Sequence, residues 1–387
     1  MTQIVNSESR IADPKDFIKA PAGGLKHNKY SDLKILAFPE KIAAFQDGRI
    51  TAPIYVRIKP TNRCNHGCRF CCYSDGTKRP KDRPDLHLQA AMHESMREQD
   101  VMPYEKAVEL LNDLRSMGVK AITFSGGGEP LLHPNITEMM ETALTNGLDL
   151  SIITNGQLLS GERAQVLAKG KWVRVSIDYT TSQQMVDSRN VAERTFEQVL
   201  DNLRNFSKIK SGGTDLGINF IVTRYNYEGL VPFAKIMKEC GVENVRFSPV
   251  YVSNFREYHE PIVLRVREQL QDIQPICDGK FSVNSTYDLD SPSKSPDRPF
   301  TQCLYAQTVP VVGADLNVYA CHNTAYSEHG KIGNIRSQTF KELWFSDEAK
   351  SAFHSLNPSL VCRHECANHH KVELFNSLAH ASLDNFV

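Results

Sequence analysis

Cys64, Cys68 and Cys71 stand in PTNRCNHGCRFCCY, a C-x3-C-x2-C loop that follows the β-rich run IYVRIKP. Thiolates at this spacing can share one metal centre. A structural zinc site wants four ligands, and so does a fully ligated four-iron cube. Three thiolates on such a cube leave one iron open to a substrate or cofactor. Cys72 adjoins the set, but a fourth ligand there would close the open iron. Cys72, Cys240 and Cys277 are therefore expected to be packed or free thiols.

A second set lies near the other end: Cys303, Cys321, Cys362 and Cys366. Cys303 and Cys321 bracket a hairpin-like stretch with a turn near Gly313 to Leu316. Cys362 and Cys366 sit together in VCRHECANHH. Four thiolates suit a closed four-coordinate centre. An iron–sulfur cube meets that count. So does a zinc ion, for which His364, His369 or His370 are substitute ligands.

These residues need elements to carry them. From about residue 50 the chain alternates β-branched runs with amphipathic stretches. The pattern predicts strands at 54–59, 120–125, 149–154, 172–177, 216–222 and 245–249. It predicts helices at 104–117, 135–147, 160–169, 193–208, 228–240 and 260–274. Gly118 is a good residue to end the first of these helices. Six βα units predict a parallel sheet, too few for a closed eight-fold barrel and right for an open, partial (β/α)6 barrel. Polar motifs fall at the carboxyl ends of the strands, where such sheets hold their sites. FSGGGEP (Phe124 to Pro130) follows strand two, TNG (Thr154 to Gly156) strand three, and VSID (Val175 to Asp178) closes strand four. Residues 1–50 read as an N-terminal extension with a helix from Leu33 to Ala44. Residues 51–280 read as the barrel and 295–387 as a small C-terminal domain, joined by a Pro-, Ser- and Asp-rich linker near 275–300. The charged stretch 74–102 reads as a solvated insertion or a lid over the cysteine loop.

Bulk properties narrow the function. Basic and acidic residues number 45 each, so no net field draws nucleic acid or anionic membrane. No apolar run approaches the ~20 residues of a membrane span. The polar start MTQIVNSESR does not fit a signal peptide. Ten cysteines then argue for metal or redox use in a reducing, cytoplasmic setting.

The Cys64/Cys68/Cys71 loop, with Phe70 at the aromatic position before the third cysteine and GGGEP downstream, resembles the radical SAM superfamily. The resemblance spans about residues 60 to 250. The C-terminal cysteines resemble the twitch domain, a shortened SPASM domain, and imply one auxiliary [4Fe–4S] cluster. The resemblance implies that the open iron chelates the amino and carboxylate groups of S-adenosylmethionine (SAM). One electron from the reduced cluster would then release a 5′-deoxyadenosyl radical that takes a hydrogen atom from the substrate. It implies an electron donor such as flavodoxin or ferredoxin. SAM contacts are expected from Gly126, Gly127, Gly128, Glu129 and Pro130, from Thr154, Asn155, Ser176 and Asp178, and at the adenine from Ile218 or Phe220 and the segment Phe247 to Val250. Asp315 and His322 are candidate proton acceptors near the auxiliary cluster.

The substrate is less legible. The twitch resemblance implies oxidation or dehydration of a small polar metabolite of the sugar or aminocyclitol kind. Modification of a ribosomally made peptide is the second reading, weakened because the N-terminal extension looks too small for a peptide-binding module. A nucleotide is the third. A zinc- or Fe–S-stabilised binding module is the reading outside enzymes.

Overall fold

The computed structural model describes residues 31–73, 95–252, 254–362 and 365–381. The parallel strands are β1 (Tyr55–Ile58), β2 (Ala121–Phe124), β3 (Asp149–Thr154), β4 (Trp172–Ser176), β5 (Asp215–Val222), β6 (Asn244–Pro249) and β7 (Ser282–Ser285). Helices α1 (Pro39–Gln46), α2 (Tyr104–Ser116), α3 (Ile136–Thr145), α4 (Gly161–Leu167), α5 (Ser182–Arg189), α6 (Thr195–Ile209) and α7 (Leu230–Glu239) surround them. Apart from α5, these helices form where apolar residues recur at three and four positions. In α6, Phe196, Val199, Leu200, Leu203 and Phe206 are buried on one stripe. Gly118 adopts φ +78° just past α2, as its place in the sequence leads one to expect.

Three further strands, β8 (Val311–Val312), β9 (Asn317–Tyr319) and β10 (Lys331–Asn334), come from the C-terminal region. The sheet runs β10-β9-β8-β1-β2-β3-β4-β5-β6-β7. β8 joins β1 in parallel, with Arg57 opposite Val311 and Ile58 opposite Val312. The C-terminal hairpin thus extends the barrel sheet on its β1 edge. β1 and β8 point their carboxyl ends the same way, so the turn Gly313–Leu316 shares a rim with the cysteine loop after β1, while Cys303, ahead of β8, and Cys321, past the antiparallel β9, lie toward the other ends of these strands.

Two expectations need correction. The stretch 275–300 carries β7, a seventh parallel strand paired with β6. Its sequence, SVNS, shows no apolar alternation because three of its four side chains are exposed. The N-terminal helix is split: a short 3-10 turn covers Asp32–Ala37, and Pro39 restarts the chain as α1. Phe45 of α1 packs on Phe375 of the helix His369–Ala379 at a ring distance of 5.9 Å, tying the extension to the C-terminal region. Most of the stretch expected as a lid, 74–94, lies outside the described residues. The segment just after it docks, with Val101 bridged to Thr61. Among the described residues no helix is long and apolar enough to cross a membrane.

His259 fastens the stretch after β7. It is fully buried, with Nδ1 at 2.8 Å from the Tyr287 hydroxyl and Nε2 at 2.9 Å from the Val250 carbonyl. Burial lowers its pKa from 6.5 to about 4. The fold therefore rejects a proton that the unfolded chain accepts below pH 6.5. The stability this contributes is whole above pH 6.5 and falls away as pH drops toward 4. At pH 5 the loss is expected to be about 2 kcal/mol. Urea midpoints at pH 7 and pH 5 measure it, and a His259→Gln variant should show a smaller pH effect.

Candidate functional site

The three-cysteine loop is clamped on both flanks. On one side it pairs with the glycine loop. Gly128 N–H donates to the Thr61 carbonyl (3.2 Å) and Glu129 N–H to the Arg63 carbonyl (2.9 Å). On the other side Gly67 N–H donates to Arg189 O (2.7 Å) and Arg69 N–H to Ser188 O (3.0 Å), at the end of α5. Cys64, Cys68 and Cys71 are half-buried. Burial pushes the Cys64 and Cys68 thiols up to about 12, and Cys68 and Cys71 feel each other's charge. Protonated thiols held this way release their protons when a metal takes them.

The glycines are packed tightly against the protein's own chain. A Cβ on Gly126 would come within 1.6 Å of the Gly128 carbonyl oxygen, one on Gly127 within 2.2 Å of Asn62 Oδ1, and one on Gly128 within 2.0 Å of the Arg63 carbonyl oxygen. The space a side chain would need is filled by the protein itself. The missing Cβ atoms let the glycine loop turn tightly on itself and close onto the start of the cysteine loop. The Gly126 carbonyl is engaged by Lys59 Nζ at 2.8 Å.

Glu129 also turns inward. Its Oε1 accepts from Leu131 N–H (3.1 Å) and the Thr154 hydroxyl (2.7 Å), and its Oε2 accepts from Asn155 N–H (2.7 Å). It is almost fully buried, which raises its pKa against the pull of those donors. The carboxylate ties the end of β2 to the end of β3. Pro130 opens the short 3-10 turn Pro130–Leu132 and is buried. Asn155 then carries the tie to the cysteine loop, its Nδ2 donating to Asn65 Oδ1 at 2.7 Å. Asn65 Nδ2 in turn donates to Gln157 Oε1 (2.8 Å). Thr154 and Asn155, expected among the SAM contacts, take part in this network.

Asp178 and Arg189 form a buried pair. Asp178 Oδ1 accepts from Arg189 Nη2 (2.6 Å) and Nε (3.0 Å). Arg189 Nη1 lies 3.4 Å from Cys68 Sγ. Asp178 Oδ2 is buried with no hydrogen-bond partner. It borders a cavity of about 200 Å³ lined also by Arg69, Phe70, Thr223, Tyr225 and Asn226. An orphaned carboxylate oxygen beside a cavity suits a ligand that carries hydroxyl donors. Ser176 ends β4 opposite Asn219, on the half-buried face of the sheet.

Strand parity corrects Ile218. Leu216, Ile218, Phe220 and Val222 share one face of β5. Phe220 packs on Phe233 of α7 at 4.6 Å, so Ile218 and Phe220 belong to the helix-facing core. The opposite face presents Ile221, which packs with Phe70 against Val250, Val252 and Tyr258. That apolar patch, not Ile218, adjoins the cysteine loop.

Cys303, Cys321, Cys362 and Cys366 are drawn together. Burial and the neighbouring thiols Cys321, Cys366 and Cys362 hold Cys303 well above its ordinary range. Cys362 is pushed up to about 12 and Cys366 to about 11. Among the described residues no three metal-binding groups converge on a single ion. Four neighbouring thiols meet the ligand count of a closed four-iron cube. Backbone bonds set the last pair: Cys366 N–H donates to Ser293 O (2.9 Å), and Asn323 Nδ2 to Glu365 O (2.7 Å). His364 lies outside the described residues. His369 is taken, with Nδ1 at 2.9 Å from Arg298 Nη1 and Nε2 at 3.2 Å from Glu373 Oε1. His370 is exposed and 3.5 Å from Glu373 Oε2.

The two candidate proton acceptors part company. Asp315 sits in the hairpin turn with both oxygens engaged by Asn317 and Tyr319. His322 lies at the join of the two sites, where its carbonyl accepts from the Tyr73 hydroxyl at 3.0 Å. Tyr73 is two residues past Cys71, and His322 is next to Cys321. One hydrogen bond therefore links the two cysteine regions. Lys59 Nζ stacks 3.7 Å from the Tyr73 ring centre, and the Tyr326 hydroxyl donates to Asn62 Oδ1. Lys59, Tyr73, Arg189 and Tyr326 escaped the sequence reading. Only Lys59, a cation at the end of a buried strand, gave a signal there.

Comparison with known proteins agrees with this geometry. The radical SAM superfamily profile matches residues 58–235, and that of the SPASM iron–sulfur cluster-binding domain matches residues 303–367. The tungsten-containing aldehyde ferredoxin oxidoreductase cofactor-modifying protein of Pyrococcus furiosus is 24% identical over 76% of this chain and 81% of its own length. The PqqA peptide cyclase of Ruegeria pomeroyi is 22% identical over 79% of this chain and 77% of its own. The crystal structure of Streptococcus suis SuiB bound to precursor peptide SuiA shares the fold with a TM-score of 0.57 at 16% identity, over 91% of this chain and 74% of that one. The chain belongs to the radical SAM superfamily: it is a modifying enzyme with a C-terminal SPASM domain, and its cofactors are SAM, a [4Fe–4S] cluster and auxiliary iron–sulfur.

Proposed function

We propose that this enzyme modifies a peptide. The observation that carries the reading is the likeness to the PqqA peptide cyclase, which covers more than three quarters of each chain. The fold shared with SuiB, solved with a precursor peptide bound, supports it. A small sugar or aminocyclitol, the first expectation from sequence, is the weaker reading, since two of these three relatives are named or solved with a peptide.

In this reading the barrel spans 51–280 and the auxiliary domain 295–387. Cys64, Cys68 and Cys71 hold the SAM-binding cluster. Cys303, Cys321, Cys362 and Cys366 hold one auxiliary cluster, a count that suits four thiolates and no more. When bound, SAM and its cluster supply a one-electron reductive cleavage whose product takes a hydrogen atom from the substrate. The chain's residues supply the rest. Arg189 brings a cation to Cys68, where it meets an anionic group of the ligand. Asp178 Oδ2 accepts from a hydroxyl. Phe70, Ile221, Val250 and Val252 exclude water on the apolar side. Glu129 and Asn155 fix the loop so that these groups keep their places. The one-electron donor is a flavodoxin or ferredoxin.

The test uses the anaerobically reconstituted full chain with SAM, a reductant and the short peptides encoded beside its gene. A SAM-dependent mass change on one of them is expected. Turnover of an aminocyclitol or a nucleotide, with every peptide unchanged, overturns the reading.

A further inference from the structure

A second cavity, of about 540 Å³, opens between the hairpin turn and the segment before α2. Three arginines reach it from distant parts of the chain: Arg63 beside Cys64, Arg97 ahead of α2, and Arg336 past β10. All three are exposed. Among the described residues none of their guanidinium groups makes a hydrogen bond or an ion pair. Two carboxylates share the cavity but do not neutralise them at contact. Asp315 is turned into its own hairpin, with Oδ2 accepting from Tyr319 (2.6 Å) and Asn317 Nδ2 (2.7 Å) and Oδ1 from Asn317 N–H (3.1 Å). Asp100 feels Arg97 and Arg336 only at a distance.

Three like charges converge on a cavity of ligand size without a partner. Each guanidinium is a planar fork that fits a carboxylate through two parallel hydrogen bonds. The cavity wall holds no aromatic residue, so it offers a nucleotide base no face to stack on. The wall is polar and borders the cysteine loop through Arg63. We propose that this cavity docks an acidic segment of the peptide substrate, with Asp or Glu side chains taken by Arg63, Arg97 and Arg336. This rests on the peptide reading and adds to it a place and a sequence preference. Held there, residues flanking the acidic segment lie next to the cysteine loop.

The test is direct binding by the reconstituted full chain without reductant, using fluorescein-labelled hexaglutamate and hexaglutamine and reading anisotropy. Hexaglutamate should bind, hexaglutamine should not, and binding should weaken with salt. The R97Q/R336Q double variant should bind hexaglutamate at least tenfold more weakly while keeping its iron content and urea midpoint. Arg63 is left in place because it adjoins Cys64. Equal binding by the double variant, equal binding of hexaglutamine, or preferential displacement by inorganic phosphate or a nucleoside triphosphate overturns the assignment. The two proposals fail separately. A peptide that is modified at the same KM by the double variant removes the docking site and leaves the function. Hexaglutamate binding in a chain that alters no peptide removes the function.

Discussion

Cys68→Ala is expected to abolish SAM cleavage and to lower reconstituted iron from about eight to about four per chain, the content of one remaining cube. Cys68 has no understudy. It lies mid-loop between backbone clamps on Gly67 and Arg69, with Arg189 Nη1 3.4 Å from its sulfur. Cys72 is nearby, but Tyr73 is anchored to His322, so the chain past Cys71 is not free to swing a substitute thiol into place. Cys362→Ala is expected to behave differently. It should keep uncoupled SAM cleavage and lose the modified peptide, if the auxiliary cluster takes part in turnover. Assays of 5′-deoxyadenosine, iron and peptide mass on both variants separate the sites. SAM cleavage by Cys68→Ala would overturn the loop assignment. Full product from Cys362→Ala would remove the auxiliary cluster from turnover.

That two such sites can cooperate follows from the sheet. β8 pairs with β1 in parallel and β9 returns antiparallel beside it, which puts the turn Gly313–Leu316 on the same rim as the loop after β1 and Cys321 at the far end of β9, where the Tyr73 hydroxyl meets the His322 carbonyl. The two regions are tied by the bond from Tyr73 to His322 and by Tyr326 reaching Asn62, and Lys59 steadies Tyr73 by bridging the Gly126 carbonyl and the Tyr73 ring. The first two link the two matched regions, and Lys59 acts within the first.

The sequence made much of this legible because local rules hold in the barrel. β-branched runs became β1 to β6, and apolar stripes became the helices that flank them. The strand-end motifs do cluster at one rim. What it hid were matters of direction. Ile218 and Ile221 are both apolar residues of one strand, and only the partner across from Phe220 says which face is which. GGGEP and TNG mark the right place, yet nothing in the string shows that their polar groups satisfy one another. β7 escaped because its polar, exposed residues carry no periodicity. Asp178 was visible; Arg189, eleven residues on in a helix with little amphipathic pattern, was not, although it completes the pair. Long-range partnerships such as Tyr73 with His322 have no local signature at all.

Glu129→Leu is expected to destabilise the metal-free chain by on the order of 3–9 kcal/mol. The carboxylate satisfies two backbone N–H groups, of Leu131 and Asn155, and the Thr154 hydroxyl, all buried. Leucine leaves all three without a partner, and each buried orphan costs about 1–3 kcal/mol. Against a total stability of roughly 5–15 kcal/mol this is a large share. Glu129→Gln should cost less, about 1–3 kcal/mol, since its amide keeps one acceptor oxygen and opposes the remaining donors with an NH2 group. The contrast matters because it separates two roles for the same residue. A glutamate that only accepted hydrogen bonds from SAM would leave the metal-free urea midpoint unchanged in both variants and raise the KM for SAM alone. A glutamate that buckles β2 to β3 lowers the midpoint in the order wild type, Gln, Leu. It also loosens the loop through Asn155 and Asn65, so cluster loading should fall in that same order. Equal midpoints in all three proteins would return Glu129 to the ligand role first expected of it.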